Sequence, residues 1–372
     1  MAMALRERPV PRPEADGFYL PPHPLPPSEP GTLLRSRRSS VRLVPGVRVP
    51  ARCAQILYVS RDASDRPIGV SGTLLVPVRP WRSGPRPLIA YGVGAHGLAP
   101  ASAPSYLMRR GLDWETMAVS ALLARGWAVV VTDYEGSGTP GPHAYTVGAS
   151  AGHTVLDAAR AALRHPSAGL SSESAIGILG YSEGGQAAAW AGELQPSYAP
   201  ELRLRGIAAG GVPRDLAEVA RSNEGGPFFA VVLLASIGQA TADPSLTFFD
   251  VLTEEGRTAV EIATTRSIYR NFARLRGRRL HEFTTLRDPL DDPAWQAALA
   301  RSRCGRRAPG APVFIYGGRY DQAVPYAETM GLAEDYRALG ADVTTRTYPL
   351  EHLGAAVAGL PSAITFLAAR LR

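Results

Sequence analysis

The chain contains no lysine. All 40 basic residues are arginine, set against 33 carboxylates, for a net charge of +7. This excess does not read as a nucleic-acid surface. Its densest runs, "RLRGRRLHEF" at 274–283 and "RSRCGRR" at 301–307, have no interleaved aromatics and belong to no nucleic-acid module, so they read as solvated faces. Cysteine is almost absent. Cys53 and Cys304 are the only two, with no spacing that a metal site would need, and no metal is expected. One long-range disulfide and two free thiols are both compatible with that pair. Long apolar runs are missing as well. The longest, "FFAVVLLASIG" at 228–238, is too short to cross a bilayer, so no transmembrane segment is expected. No internal repeat of fixed period occurs.

The N-terminal text "MAMALRERPVPRPEADGFYLPPHPLPPSEP" lacks the apolar core of a signal peptide. The expectation is therefore a cytoplasmic chain, the alternative being a secreted one whose signal peptide has been removed. The same stretch holds 9 of the 33 prolines, which force extended or irregular backbone. Residues 1–45 read as an arm lying on or hanging from the rest.

What remains is globular in balance, with 45% hydrophobic and 20% charged residues. Residues 54–76 alternate as a β-hairpin around "SRDASDRP". Apolar strands then alternate with helices: strands near 86–94, 127–138, 175–182 and 204–213, helices near 113–126, 146–165 and 184–194. This rhythm predicts an α/β fold with a mostly parallel sheet flanked by helices. It breaks over 214–300, which reads as helical and irregular, and resumes with strands at 311–325 and 342–349. The expected division is a first core part at 46–213, a helical cap or lid insertion at 214–300, and a second core part at 301–372.

At 180–185 the chain reads "GYSEGG", between an apolar strand and a helix. A serine hydroxyl attacks well only when a base takes its proton and when it stands clear of its own backbone. G-x-S-x-G at a strand-to-helix turn provides the second condition, because Gly180 and Gly184 leave room for a strained, upright Ser182. The N–H of Glu183, at the helix start, suits a developing oxyanion. The order Ser, Asp/Glu, His then demands two partners downstream. His352 lies in "YPLEHLGA", in the loop after the last strand, whereas His281 sits among arginines in the insertion. Asp321 in "YGGRYDQAVP" follows a strand at the edge where ligands bind in open α/β sheets. Asp335, Asp342 and Glu351 read as solvent-facing or misdirected. A second oxyanion donor is expected from the loop "GAHGLAPASAPSY", with the backbone N–H groups of Ala95 and His96 as candidates. The loop 133–145 is expected to wall the same pocket, and "PFFAVVLLASIG" to line an acyl site.

Four stretches, "GVSGTLLVP" (69–77), "TDYEGSGTPGPHAYTVG" (132–148), "GYSEGGQAAAWAGEL" (180–194) and "VFIYGGRYDQAVPY" (313–326), together resemble the secretory lipase family, the lipase-A-type α/β-hydrolases of yeasts and actinobacteria. The resemblance spans about residues 30–370. It implies an α/β-hydrolase fold with a helical cap, a triad of Ser182, Asp321 and His352, hydrolysis of lipid and other carboxylic esters, and no cofactor. It also implies a cap-to-core disulfide at positions that here are Ser102 and Ser267, so that bond is expected to be missing. The expected function is a serine carboxylic-ester hydrolase acting through an acyl-enzyme on a small-molecule or lipid ester. An acyltransferase using an alcohol or amine acceptor is the alternative, and a peptidase and a non-catalytic binding protein of the same fold stand behind it.

Overall fold

The computed structural model describes residues 9–287 and 289–372. The first eight residues of the expected arm, and Asp288, lie outside the described residues. In chain order the strands and helices are β1 (Leu33–Ser39), β2 (Arg42–Val44), β3 (Val47–Arg48), β4 (Ala51–Arg61), β5 (Pro67–Pro77), β6 (Leu88–Gly92), α1 (Pro104–Arg110), α2 (Thr116–Ala124), β7 (Ala128–Thr132), α3 (Gly148–Arg164), β8 (Ile176–Tyr181), α4 (Glu183–Tyr198) and β9 (Leu204–Gly210). They continue with α5 (Leu216–Asn223), α6 (Ala230–Ala242), α7 (Glu254–Thr265), α8 (Ile268–Leu275), α9 (Pro293–Arg301), β10 (Val313–Gly318), α10 (Tyr326–Ala338), β11 (Val343–Tyr348) and α11 (His352–Ala368).

Nine strands form one sheet in the order β1-β4-β5-β7-β6-β8-β9-β10-β11. From β7 to β11 every neighbouring pair is parallel, while β1, β4 and β5 add an antiparallel flank. The strands β6, β7, β8 and β10 are buried at every position. That is why they read as continuous apolar runs rather than as alternations: helices cover both faces of a parallel sheet. The edge strand β11 is mostly exposed and correspondingly polar, "VTTRTY".

The arm ends earlier than expected. Residues 33–39 form β1, paired with β4. Its text, "LLRSRRS", carries no apolar alternation because an edge strand here needs to bury little. The preceding proline-rich stretch lies on the domain. Tyr19 is fully buried, with its hydroxyl 2.9 Å from Ser105 Oγ, and Arg37 pairs with Asp16 at 2.5 Å. Cys53 and Cys304 are both free thiols, half-buried and buried respectively.

Between β9 and β10 the described residues are helical, α5–α9, with an apolar cluster of their own around Phe229, Leu233, Leu234, Phe248, Phe283 and Trp295. Leu98 and Tyr145, from loops of the sheet, join that cluster. A Cβ on Gly238 of α6 would collide with the Tyr145 backbone, and Gln239 Nε2 donates to the Thr146 carbonyl at 3.1 Å. This segment therefore sits directly on the loops at the carboxyl ends of the strands. No described helix is long and apolar enough to cross a membrane.

Candidate active site

The turn from β8 to α4 is sharp. Ser182 stands at φ 60°, ψ −123°, a conformation that L-residues rarely adopt and that stores strain. Its N–H is tied to the Gly210 carbonyl of β9 at 2.9 Å, and its own carbonyl accepts the first helical bond from Gln186 at 3.0 Å. A Cβ on Gly180 would strike the Gly184 carbonyl, and one on Gly184 would strike the Gly92 carbonyl. Only glycine fits at either place, which is the physical content of the spacing.

Asp321 lies just past the end of β10. Its Oδ1 accepts from the N–H groups of Ala323 (2.9 Å) and Val324 (2.8 Å), which fix the carboxylate in its turn. Its Oδ2 stands 2.6 Å from His352 Nδ1. His352 opens α11, where Glu351 caps the helix by accepting from Leu353 and Gly354 N–H. The imidazole is almost buried, and its ring lies 5.0 Å from that of Tyr181, the neighbour of Ser182. A carboxylate only accepts, so Nδ1 carries the proton and Nε2 keeps a free lone pair. Among the described residues neither His352 Nε2 nor Ser182 Oγ has a hydrogen-bond partner. The rival groups are engaged elsewhere. Asp335 pairs with Arg214 and Arg303 (3.2 and 2.9 Å), Asp342 faces Arg370 at 3.9 Å, and His281 is exposed.

The loop after β6 passes beside the serine: a Cβ on Gly94 would lie 3.8 Å from Ser182 Cβ. Behind this loop is a buried polar group that nothing in the sequence pattern announces. Glu115 accepts from the Gly94 N–H and from the Tyr91 hydroxyl, both at 2.7 Å. His96 Nδ1 is 2.7 Å from the Gly94 carbonyl, and its Nε2 is 3.2 Å from Asp113 Oδ2. Burial by itself would push the His96 pKa down, but Asp113 outweighs it and raises it to about 10. Burial pushes the Glu115 carboxyl up to about 7, with His96 opposing the shift.

On the other side of the serine, Glu183 turns inward. Its Oε1 lies 3.3 Å from His143 Nε2, while His143 Nδ1 bonds the Glu135 carbonyl at 2.8 Å. Burial lowers the His143 pKa, and the bond to Glu183 more than reverses this, leaving it above the ordinary value. Asp113 and Glu115 lie next to a helix start, where acidic residues are commonplace; no local signal marks them as buried. His143 lies within the 133–145 stretch expected as a pocket wall.

Ser182 opens on a cavity of about 50 Å³, lined by Tyr145, Leu216, Val231, Val232, Ala235 and Val324 among others. So the apolar run at 228–238 does face the serine. A larger concavity, about 850 Å³, lies between the β5 end and α2 and contains none of these groups. Size and chemistry therefore disagree, and the arrangement of reactive groups is the better guide to function.

The sequence profile of the secretory lipase family matches residues 103–372. This chain belongs to the secretory lipase family. As a member it is a carboxylic-ester hydrolase of the α/β-hydrolase fold. A protein of Mycobacterium tuberculosis named a probable inactive lipase is 31% identical over 345 residues, covering 89% of this chain and 76% of that protein. A secreted triacylglycerol lipase of Malassezia globosa is 28% identical, covering 95% of this chain and 78% of that enzyme. Among solved structures, Candida antarctica lipase A in its closed state superposes with a TM-score of 0.87 at 25% identity, covering 96% of this chain and 86% of that one. Within this lipase family, then, the chain shares the fold over nearly its whole length.

Proposed function

We propose that Ser182, His352 and Asp321 form the triad of a lipid-ester hydrolase that works through an acyl-enzyme. The observation that carries this reading is the 2.6 Å bond from His352 Nδ1 to Asp321, which leaves Nε2 free as a base, with the ring packed against Tyr181, the neighbour of the strained Ser182. Ser182 Oγ attacks the acyl carbonyl while His352 Nε2 takes its proton. The tetrahedral oxygen is received by the Glu183 N–H at the start of α4 and by an N–H of the 95–96 loop. His352 returns the proton to the departing alcohol, and Asp321 steadies the transient imidazolium. Water then repeats the sequence and releases the acid. No step calls for a cofactor. Among family members, one is named as probably inactive; the intact serine, acid and base here support activity in this chain.

The helices α5–α9 act in this reading as a cap, and the acyl group lies between α5 and α6 over Ser182. At about 50 Å³ the cavity is far below the roughly 300–1,000 Å³ of ordinary ligand sites. Turnover therefore requires the cap to shift, and short to medium acyl chains are favoured. We place the protein outside the cell, in keeping with its secreted relatives, in preference to the cytoplasmic expectation. A panel of p-nitrophenyl esters of graded chain length, run beside a triglyceride emulsion with wild type and Ser182→Ala, tests the proposal. Hydrolysis should depend on Ser182 and be fastest for short and medium chains. A folded wild type without esterase activity, or activity surviving in Ser182→Ala, would overturn it.

A further inference from the structure

Gly94 is gripped at both ends, by Glu115 at its N–H and by His96 Nδ1 at its carbonyl, each at 2.7 Å. A carbonyl can only accept, so Nδ1 is protonated and donates. The Gly94 carbonyl shares one planar trans peptide with the Ala95 N–H, and in such a unit the C=O and the N–H point in opposite directions. Orienting one orients the other. The bond to His96 thus turns the Ala95 N–H away from the imidazole and holds it there. This is the peptide beside the nucleophile, since Gly94 lies against Ser182. The loop needs such a clamp. It runs between Gly94 and Gly97, and Gly97 sits at φ 103°, so the backbone alone restrains it little. The far side of the imidazole meets a carboxylate at ion-pair distance, without hydrogen-bond alignment. Nε2 faces Asp113 Oδ2 at 3.2 Å, and Asp113 Oδ1 accepts from the Glu115 N–H at 2.9 Å. Asp113 and Glu115 are almost wholly buried.

We propose that His96 is a positioning residue for the oxyanion site: through its bond to the Gly94 carbonyl it sets the direction of the Ala95 N–H, while Asp113 holds the ring in register. The proposal rests on the ester-hydrolase reading above. An oxyanion donor is worth about 10²–10³ in kcat, and displacing a reacting group by about 1 Å can cost 10²-fold. The clamp is therefore felt in the transition state and hardly in ground-state binding.

Two substitutions separate positioning from mere filling of a buried polar site. His96→Asn places an amide N–H where Nδ1 stands and can keep the Gly94 bond. His96→Gln places it where Nε2 stands, keeping the contact with Asp113 but losing the bond to Gly94. With rates normalised to the folded fraction, His96→Asn should retain kcat within about tenfold, and His96→Gln should lose on the order of 10²-fold. KM should move only a few-fold in either. An alkylboronic acid, which forms a tetrahedral adduct on serine, should lose affinity in step with kcat/KM. Equal kcat in the two variants, or an effect confined to KM, would overturn the proposal. If either variant fails to fold, Asp113→Asn makes the same distinction: a several-fold fall in kcat at constant KM is expected, and an unchanged kcat refutes the role. Absence of hydrolysis in wild type would instead count against the hydrolase reading itself, before any variant is compared.

Discussion

Two histidines of the candidate site are each set against a carboxylate, and they are wired differently. His352 has one ring nitrogen on Asp321 and the other without a partner among the described residues. His96 has Nδ1 bonded to the Gly94 carbonyl and Nε2 occupied by the Asp113 carboxylate at ion-pair distance, 3.2 Å, without hydrogen-bond alignment. The chemistry of the pairs is the same; the free lone pair decides what each can do. A histidine with an open nitrogen can accept a proton from a hydroxyl, whereas one with both nitrogens bound can only hold geometry. His143, between Glu183 and the Glu135 carbonyl, is of the second kind.

Breaking the first pair should have the largest effect. His352→Ala is expected to lower kcat on a p-nitrophenyl ester by about 10⁶-fold and Asp321→Asn by about 10⁴-fold. The double variant should be little worse than His352→Ala, because the two residues act as one unit. Near-normal turnover in Asp321→Asn would remove that residue from the triad.

The His143–Glu183 pair, away from the Gly94 peptide, should show mainly in stability. Glu183→Ala leaves His143 buried without its carboxylate, a loss of about 3 kcal/mol for a broken buried pair. Thermal unfolding should report a lower Tm for it, and Glu183→Gln should recover much of the loss. An unchanged Tm in Glu183→Ala would show that the pair contributes nothing to stability.

Much of this site could be read from the chain itself. Gly180, Gly184 and the apolar run before them define the elbow, since only one backbone geometry needs small residues at those two places. Asp321 and His352 follow from their position after strands. The strand expected at 175–182 is β8, Ile176–Tyr181, and the segment between β9 and β10 carries the helices α5–α9. Two features were not legible. β1 is written in arginine and serine because an edge strand has little apolar face to declare. Asp113 and Glu115 look like ordinary charges at the start of α2, yet they are 2% and 1% exposed. Their burial is decided by the β6 loop folding over them, a tertiary event with no local pattern.

A smaller effect tests the charge on His96. Its folded pKa lies above the unfolded value, so its contribution to stability is complete below about pH 6.5 and is lost as pH rises through about 10. Asp113 favours the charged ring, and Glu115, itself shifted upward, does so as well. Wild type should lose Tm between neutral pH and pH 10 more steeply than Asp113→Asn does; parallel profiles would argue against a buried imidazolium. The smallest effect belongs to the thiols. Cys53→Ser combined with Cys304→Ala should keep kcat nearly unchanged and cost about 1 kcal/mol, mostly from the buried Cys304. A well-folded double variant that has lost most of its turnover would show that one thiol lies nearer the chemistry than the structure places it.

The central claim is that Ser182 is the nucleophile, activated by a histidine whose second nitrogen is free. Intact mass spectrometry after treatment with a fluorophosphonate tests it most directly. A single adduct is expected on wild type, mapped to Ser182, and none on Ser182→Ala. An adduct on folded Ser182→Ala, or none on folded wild type, would contradict it.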